Sequence, residues 1–173
     1  MDTRRFGDLV RPVLGDLYRF ARRLTRDPVT AEDLLQQALL RGLDRLSQLQ
    51  DDGAFKVWQS RVLYTTFLDT RDRRETMWIE GQDDDVVVPL ERPGPDREQE
   101  RRALGAAISD ALDRLPADQR EAVWLVDGQG MKFGEAASVL GVPPGTVASR
   151  VARGRMALRE ELRQVAADEG VGR

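Results

Sequence analysis

The stretch 133–163, FGEAASVLGVPPGTVASRVARGRMALREELR, narrows the options for this chain most. Phe133, Ala136, Ala137 and Leu140 recur at helical spacing and stop at Gly141, a residue type that takes positive φ without steric cost. Val142, Pro143 and Pro144 follow, and proline suits the first turn of a new helix. That second helix carries Val147, Val151, Met156, Leu158 and Leu162 inward and turns Thr146, Ser149, Arg150, Arg153 and Arg155 outward. A helix, a short glycine turn and a basic helix make the helix-turn-helix order. The Ala136-Ala137 pair lets two helices cross closely, and the basic helix is slim enough to enter a major groove. An ordinary helical hairpin with a solvated basic face fits the same spacing. Thr146 and Ser149 at the helix start, with arginines behind them, favour contact with DNA.

Composition removes most alternatives. The 173 residues fit one or two domains. There is no run of 18 apolar residues and no signal-peptide pattern, so a cytoplasmic chain without membrane insertion is expected. With no Cys and no His, disulfides, thiolate chemistry, a structural zinc site and His acid–base catalysis are excluded. No glycine-rich phosphate loop or nucleophile elbow occurs. Glu32-Asp33 and Glu160-Glu161 read as first-turn and solvent charges rather than a catalytic dyad. We expect no enzyme, no cofactor and no metal.

The net charge of −3 divides unevenly. Residues 1–78 hold 14 basic and 12 acidic side chains, residues 79–100 hold 2 and 8, and residues 101–173 hold 11 and 10. Any field for DNA must therefore come from local clustering. The fold class follows as all-α: a helical domain over 1–78, a flexible acidic linker over 79–100, and a second helical domain over 101–173 that contains the helix-turn-helix.

In the first domain, Phe6, Leu9, Val10, Val13, Leu14, Leu17, Ala21 and Leu24 form one stripe, read as one helix over 6–24 that Asp27-Pro28 ends. Thr30 is the expected N-cap of a second helix running to about Gln50, with Glu32 and Asp33 in its first turn. A third covers roughly 54–74. The linker is GQDDDVVVPLERPGPD with its flanks, in which Val86-Val87-Val88 suits either a short strand or an extended segment docking on a partner. Helix resumes near Leu104 and runs to Leu115, and Pro116 opens another from Ala117 to about Val126. A turn at Asp127-Gly128 and Gly130 precedes the helix-turn-helix.

Along the third helix, Trp58, Arg61, Tyr64, Thr65, Arg71, Arg73 and Arg74 mix aromatic rings with cations. Rings beside cations suit stacking on exposed bases while phosphates are held; the alternative is that Trp58 and Phe67 are core. Three functions remain open on these residues. One is a factor that binds DNA at two places and also a large protein partner. The others are a dimeric helix-turn-helix regulator and a protein-binding mimic.

The chain as a whole resembles the extracytoplasmic-function (ECF) group of sigma-70-type sigma factors, over about 6–75 and 101–165. AEDLLQQALLRGL at 31–43 is similar to the segment that docks on the β′ clamp helices of core RNA polymerase. The resemblance implies contacts there from Asp33, Gln36, Gln37 and Arg41. FKVWQSRVLYTTFLDTRDRR at 55–74 is similar to the region that reads and melts the −10 element. LDRLPADQREAVWLV at 112–126, with the stretch 133–159, is similar to the domain that reads the −35 element and touches the β flap. It further implies a protein that is monomeric when free and has an anti-sigma factor as partner, and a function in promoter-directed initiation.

Overall fold

The computed structural model describes residues 2–77 and 97–168, with side chains for 2–73 and 105–164. Every regular element among the described residues is helical. The described residues divide into two compact units: those up to Met77 together with Glu135–Gly141, and the remainder.

The first unit opens with α1 (Thr3–Val10) and α2 (Leu14–Thr25). The single helix expected over 6–24 is thus two. Pro12 interrupts it, since its ring and missing N–H do not fit a helix interior. The Val13 N–H instead bonds Val10 O at 3.0 Å. The apolar stripe survives the break except at Leu14, which is 41% exposed. Helix α2 ends on Arg26 in the left-handed region at φ 60°.

Helix α3 (Pro28–Asp44) is capped by Asp27, not Thr30. The Asp27 carboxylate accepts the Thr30 N–H at 2.7 Å and the Thr30 hydroxyl at 2.6 Å, and these bonds hold its pKa below the usual value. Pro28 opens α3 rather than merely closing α2, because the first helical position needs no N–H. Glu32 and Asp33 therefore fall in the second turn. The chain leaves α3 at Asp44, before the expected Gln50, and continues through 3-10 turns at Leu46–Gln48 and Asp52–Ala54.

Helix α4 (Phe55–Met77) lies against α2 and α3. Leu17, Phe20 and Ala21 of α2, Leu34 and Ala38 of α3, and Leu63 of α4 are nearly or fully buried. Each large apolar side chain so buried contributes about 1.5–3 kcal/mol. Gln59, Ser60 and Thr66 are also fully buried. Gln59 Nε2 donates to Ala38 O at 2.8 Å, and the rest of its amide lies over Gly42, where a side chain has no room. Helix α1 packs separately: Phe6 and Val10 join Leu46, Leu49 and Phe55, with the Phe6 and Phe55 rings edge to face at 5.7 Å. Lys56 Nζ, 2.8 Å from Asp16 Oδ2, ties α4 to α2.

Helix α5 (Arg97–Asp113) begins inside the stretch assigned to the linker and ends two residues short of Leu115. The rest of that linker, with Val86-Val87-Val88, lies outside the described residues. Pro116 stands at the N-cap of α6 (Ala117–Val123). The corner between these helices is held by Arg120, 7% exposed, whose Nη1 donates to Asp113 O at 3.3 Å and Leu115 O at 3.4 Å. Cations suit the carbonyl end of a helix.

A π turn, Trp124–Gly128, continues α6 where a plain turn was expected at Asp127-Gly128. Gln129 N–H bonds Trp124 O at 2.9 Å. Helix α7 (Phe133–Leu140) buries Ala136, Ala137, Val139 and Leu140 but leaves Phe133 42% exposed. Gly141 ends it at φ 67°, and α8 (Pro144–Asp168) follows. Val147 and Val151 of α8 are buried, while Leu158 packs on Leu112, Leu115 and Val123. Met156, expected inward, is 69% exposed. On an ideal helix it stands about 140° from Val151, which points to the core.

Candidate nucleic-acid and partner interfaces

Three surfaces carry the residues singled out in the sequence. On α3, Asp33, Gln36 and Gln37 are exposed and share one face by their three- and four-residue spacing. Arg41, four residues past Gln37, has its side chain turned to α4. Its Nη1 is 2.6 Å from Asp69 Oδ2 and donates to Thr66 Oγ1 at 3.3 Å, so it braces α3 against α4. The sequence reading missed Val29 and Leu40, which are 68% and 64% exposed. Their spacing from Asp33 and Gln36 puts them on the same stripe, giving the polar face apolar ends.

On α4, Arg61 is exposed and has no carboxylate partner among the described residues. Trp58, Tyr64 and Thr65 are its three- and four-residue neighbours on the helix surface. All three are half-buried and engaged. Trp58 packs on the Phe55 cluster with ring centroids 5.9 Å apart. Tyr64 stacks on Phe20 at 6.4 Å. The Thr65 hydroxyl lies 3.0 Å from both Arg61 O and Val62 O. Arg71 and Arg73 are exposed about 15 Å further along the helix, with Arg71 Nε 3.9 Å from Asp72 Oδ1. The side chain of Arg74 lies outside the described residues.

On α8, Thr146, Arg150 and Arg153 fall within an arc of about 60° on an ideal helix, and Ser149 is close beside them. Ser149 and Arg153 are exposed; Thr146 and Arg150 are half-buried. Arg153 Nε donates to Ser149 O at 3.3 Å and has no carboxylate partner among the described residues. Arg150 Nε is 3.3 Å from Asp118 Oδ2 of α6. Arg155 is set apart, about 140° around the helix from Arg150. It donates through Nε to Asp127 Oδ2 at 2.9 Å and through Nη2 to Asp127 Oδ1 at 2.6 Å, and these bonds raise its already high pKa. In the sequence Asp127 read only as a turn residue and Asp118 only as part of the stretch 112–126. Neither belongs to the periodic pattern of α8, and only the fold brings them to it.

No group of three or more potential ligands that could hold a metal ion occurs among the described residues, and none of their helices is long and apolar enough to cross a membrane. The surfaces offer carboxamides, carboxylates and apolar ends on α3, and cations with aromatic or hydroxyl neighbours on α4 and α8. That chemistry suits docking and nucleic-acid binding.

Comparison with known proteins gives matches over both units. Residues 9–76 match the family described as Sigma-70 region 2, and residues 105–158 match Sigma-70, region 4. The ECF RNA polymerase sigma factor SigE of Mycolicibacterium smegmatis is 39% identical over 156 residues, 90% of this chain and 60% of that protein. The chain therefore spans less than two thirds of that relative. The ECF RNA polymerase sigma factor SigM of Mycobacterium tuberculosis is 34% identical over 162 residues, 93% of this chain and 79% of the relative. Among solved structures, the sigma factor RpoE in its complex with the anti-sigma factor NepR from Bartonella quintana is similar with a TM-score of 0.73. It is 28% identical, and the match covers 94% of this chain and 98% of that one.

Proposed function

The chain belongs to the extracytoplasmic-function sigma factors of the sigma-70 family, and from that membership we propose that it directs core RNA polymerase to specific promoters and helps to open them. The observation that carries the reading is the presence, on one chain, of both matched regions with their polar surfaces exposed.

In this reading the outer stripe of α3 docks on the β′ clamp helices. Asp33, Gln36 and Gln37 supply the polar contacts, and exposed Val29 and Leu40 supply apolar surface at either end. Arg41 supports that face from behind through Asp69. Helix α4 meets the −10 element. Removing a base from the stack costs a few kcal/mol, and one aromatic contact returns about 1–3 kcal/mol. One ring of α4 thus offsets one flipped base, and polymerase must supply the rest of the opening. Arg61, exposed between Trp58 and Tyr64, is placed to hold the adjoining phosphate. Helix α8 enters the major groove at the −35 element with Thr146, Ser149 and Arg153 foremost, and its unit touches the β flap. The protein acts in the cytoplasm as a binding factor without an enzymatic activity of its own. It is monomeric when free and is restrained by an anti-sigma factor.

The test is promoter-specific transcription by the full chain with core polymerase, starting from promoter DNA selected out of a genomic library. Defined transcripts are expected. Binding to an anti-sigma factor with no transcript and no association with core would instead put the chain with sigma-factor mimics.

A further inference from the structure

Two of the arginines on the DNA-reading helix are already paired. Arg150 faces Asp118 from the first turn of α6, and its side chain is only 22% exposed. Arg155 is gripped at two nitrogens by Asp127 from the π turn. Arg153 alone of the three reaches solvent without a carboxylate among the described residues. The stretch 101–173 carries 11 basic and 10 acidic side chains, so its pull on DNA depends on which cations are left uncompensated.

We propose that Asp118 and Asp127 are specificity-determining residues, carboxylates that hold Arg150 and Arg155 off the phosphate backbone. This rests on the reading of α8 as the −35 reader. A phosphate contact attracts every DNA sequence alike, and each one steepens the fall of log K with log salt by about 0.9. An arginine held by an internal carboxylate adds little to that term. For it to reach a phosphate, the pair must open and leave an aspartate facing the duplex. Sequence-independent binding is thereby held down, and recognition is left to Thr146, Ser149 and Arg153, whose contacts depend on the bases. A merely structural pair predicts the opposite consequence: its loss loosens α8 and weakens every DNA complex.

The experiment measures binding of the full chain to a random-sequence 30-base-pair duplex by fluorescence anisotropy, between 50 and 200 mM salt, for Asp118→Asn, Asp127→Asn and both together, with unfolding curves for each. Each substitution is expected to tighten binding severalfold at the lowest salt and to steepen the salt slope by up to about 0.9 per released arginine. Arg155→Ala placed on Asp127→Asn should return the value to that of the parent. Unchanged or weaker binding in the variants, absence of measurable binding in parent and variants alike, or a gain that survives Arg155→Ala overturns the proposal. The −35 reading stands or falls separately, on whether Arg153→Ala impairs promoter selection by the reconstituted holoenzyme.

Discussion

Gly42→Ala reverses the usual expectation for a glycine inside a helix. Alanine there normally gains about 0.5–1 kcal/mol. In α3, however, a Cβ on residue 42 would stand 2.1 Å from Gln59 Oε1 and 2.9 Å from its Cδ and Nε2. Gln59 is fully buried, and Nε2 is committed to Ala38 O at 2.8 Å. Overpacking costs about 1–3 kcal/mol, and an amide pushed off its partner while still buried costs about 1–3 kcal/mol more. The net expectation is destabilisation of about 1–5 kcal/mol once the helix gain of about 1 kcal/mol is subtracted. In a Gln59→Ala background the obstruction is gone, so Gly42→Ala should become neutral or stabilising by up to about 1 kcal/mol. The assay is the four-member double-mutant cycle, read by hydrogen exchange at α3 and α4 amides, which reports the first unit alone. An equal cost of Gly42→Ala in both backgrounds would refute the argument that Gln59 fills the space above that glycine.

Asp16 predicts an acid-sensitive term. Its bonds to Lys56 and Arg19 hold its pKa below 3.8, so the folded state binds that proton less readily than the unfolded one. The stability it contributes is present above the unfolded value and is lost as pH falls from there through the lower folded value; Asp16→Asn should flatten that limb of a denaturation-versus-pH curve. Asp33→Arg combined with Gln37→Arg should abolish co-purification with core polymerase while helicity by circular dichroism is retained, and full retention of core binding would remove α3 as the docking helix. Tyr64→Ala, with a parallel unfolding curve because the ring also stacks on Phe20, should impair transcription from duplex promoter far more than from the same promoter with a pre-opened mismatch bubble. Equal impairment on both templates would assign Tyr64 a structural role.

The helices were legible wherever apolar spacing and punctuation agree. Gly141 ends α7 and Pro144 opens α8 because both backbone constraints act on the residue that carries them. Pro12 was passed over since the stripe from Phe6 to Leu24 keeps its spacing across the break, and spacing alone does not register a missing N–H. Thr30 looked like a cap for the same local reason; Asp27 takes the role because Pro28 sets the start of α3. Site residues follow a similar division. Exposure of Asp33, Gln36, Gln37, Arg61 and Arg153 follows from helix face. The engagement of Arg41, Arg150 and Arg155 does not, because their carboxylates lie about 28–32 positions away in the chain and come near only through packing. Nor does spacing reveal that Trp58 and Tyr64 lean on phenylalanines from a turn earlier and from another helix.

Thr65 sets a limit on what α4 can ask of a base. A threonine hydroxyl has one hydrogen and two lone pairs. Here the hydrogen is directed back at the helix, with Arg61 O and Val62 O both 3.0 Å away. Outward, the side chain is therefore an acceptor only. Each base can turn a donor to such a group, an amino hydrogen from adenine, cytosine or guanine or an imino hydrogen from thymine or guanine, whereas a carbonyl oxygen turned that way meets lone pairs with lone pairs. If an unpaired base comes to rest on this part of α4, the helix should rank the four bases by which of them turns a donor hydrogen toward Thr65 rather than by size. Transcription from promoters carrying each base at the flipped position would reveal that order, and Thr65→Val should erase it without lowering the best template to the level of the worst.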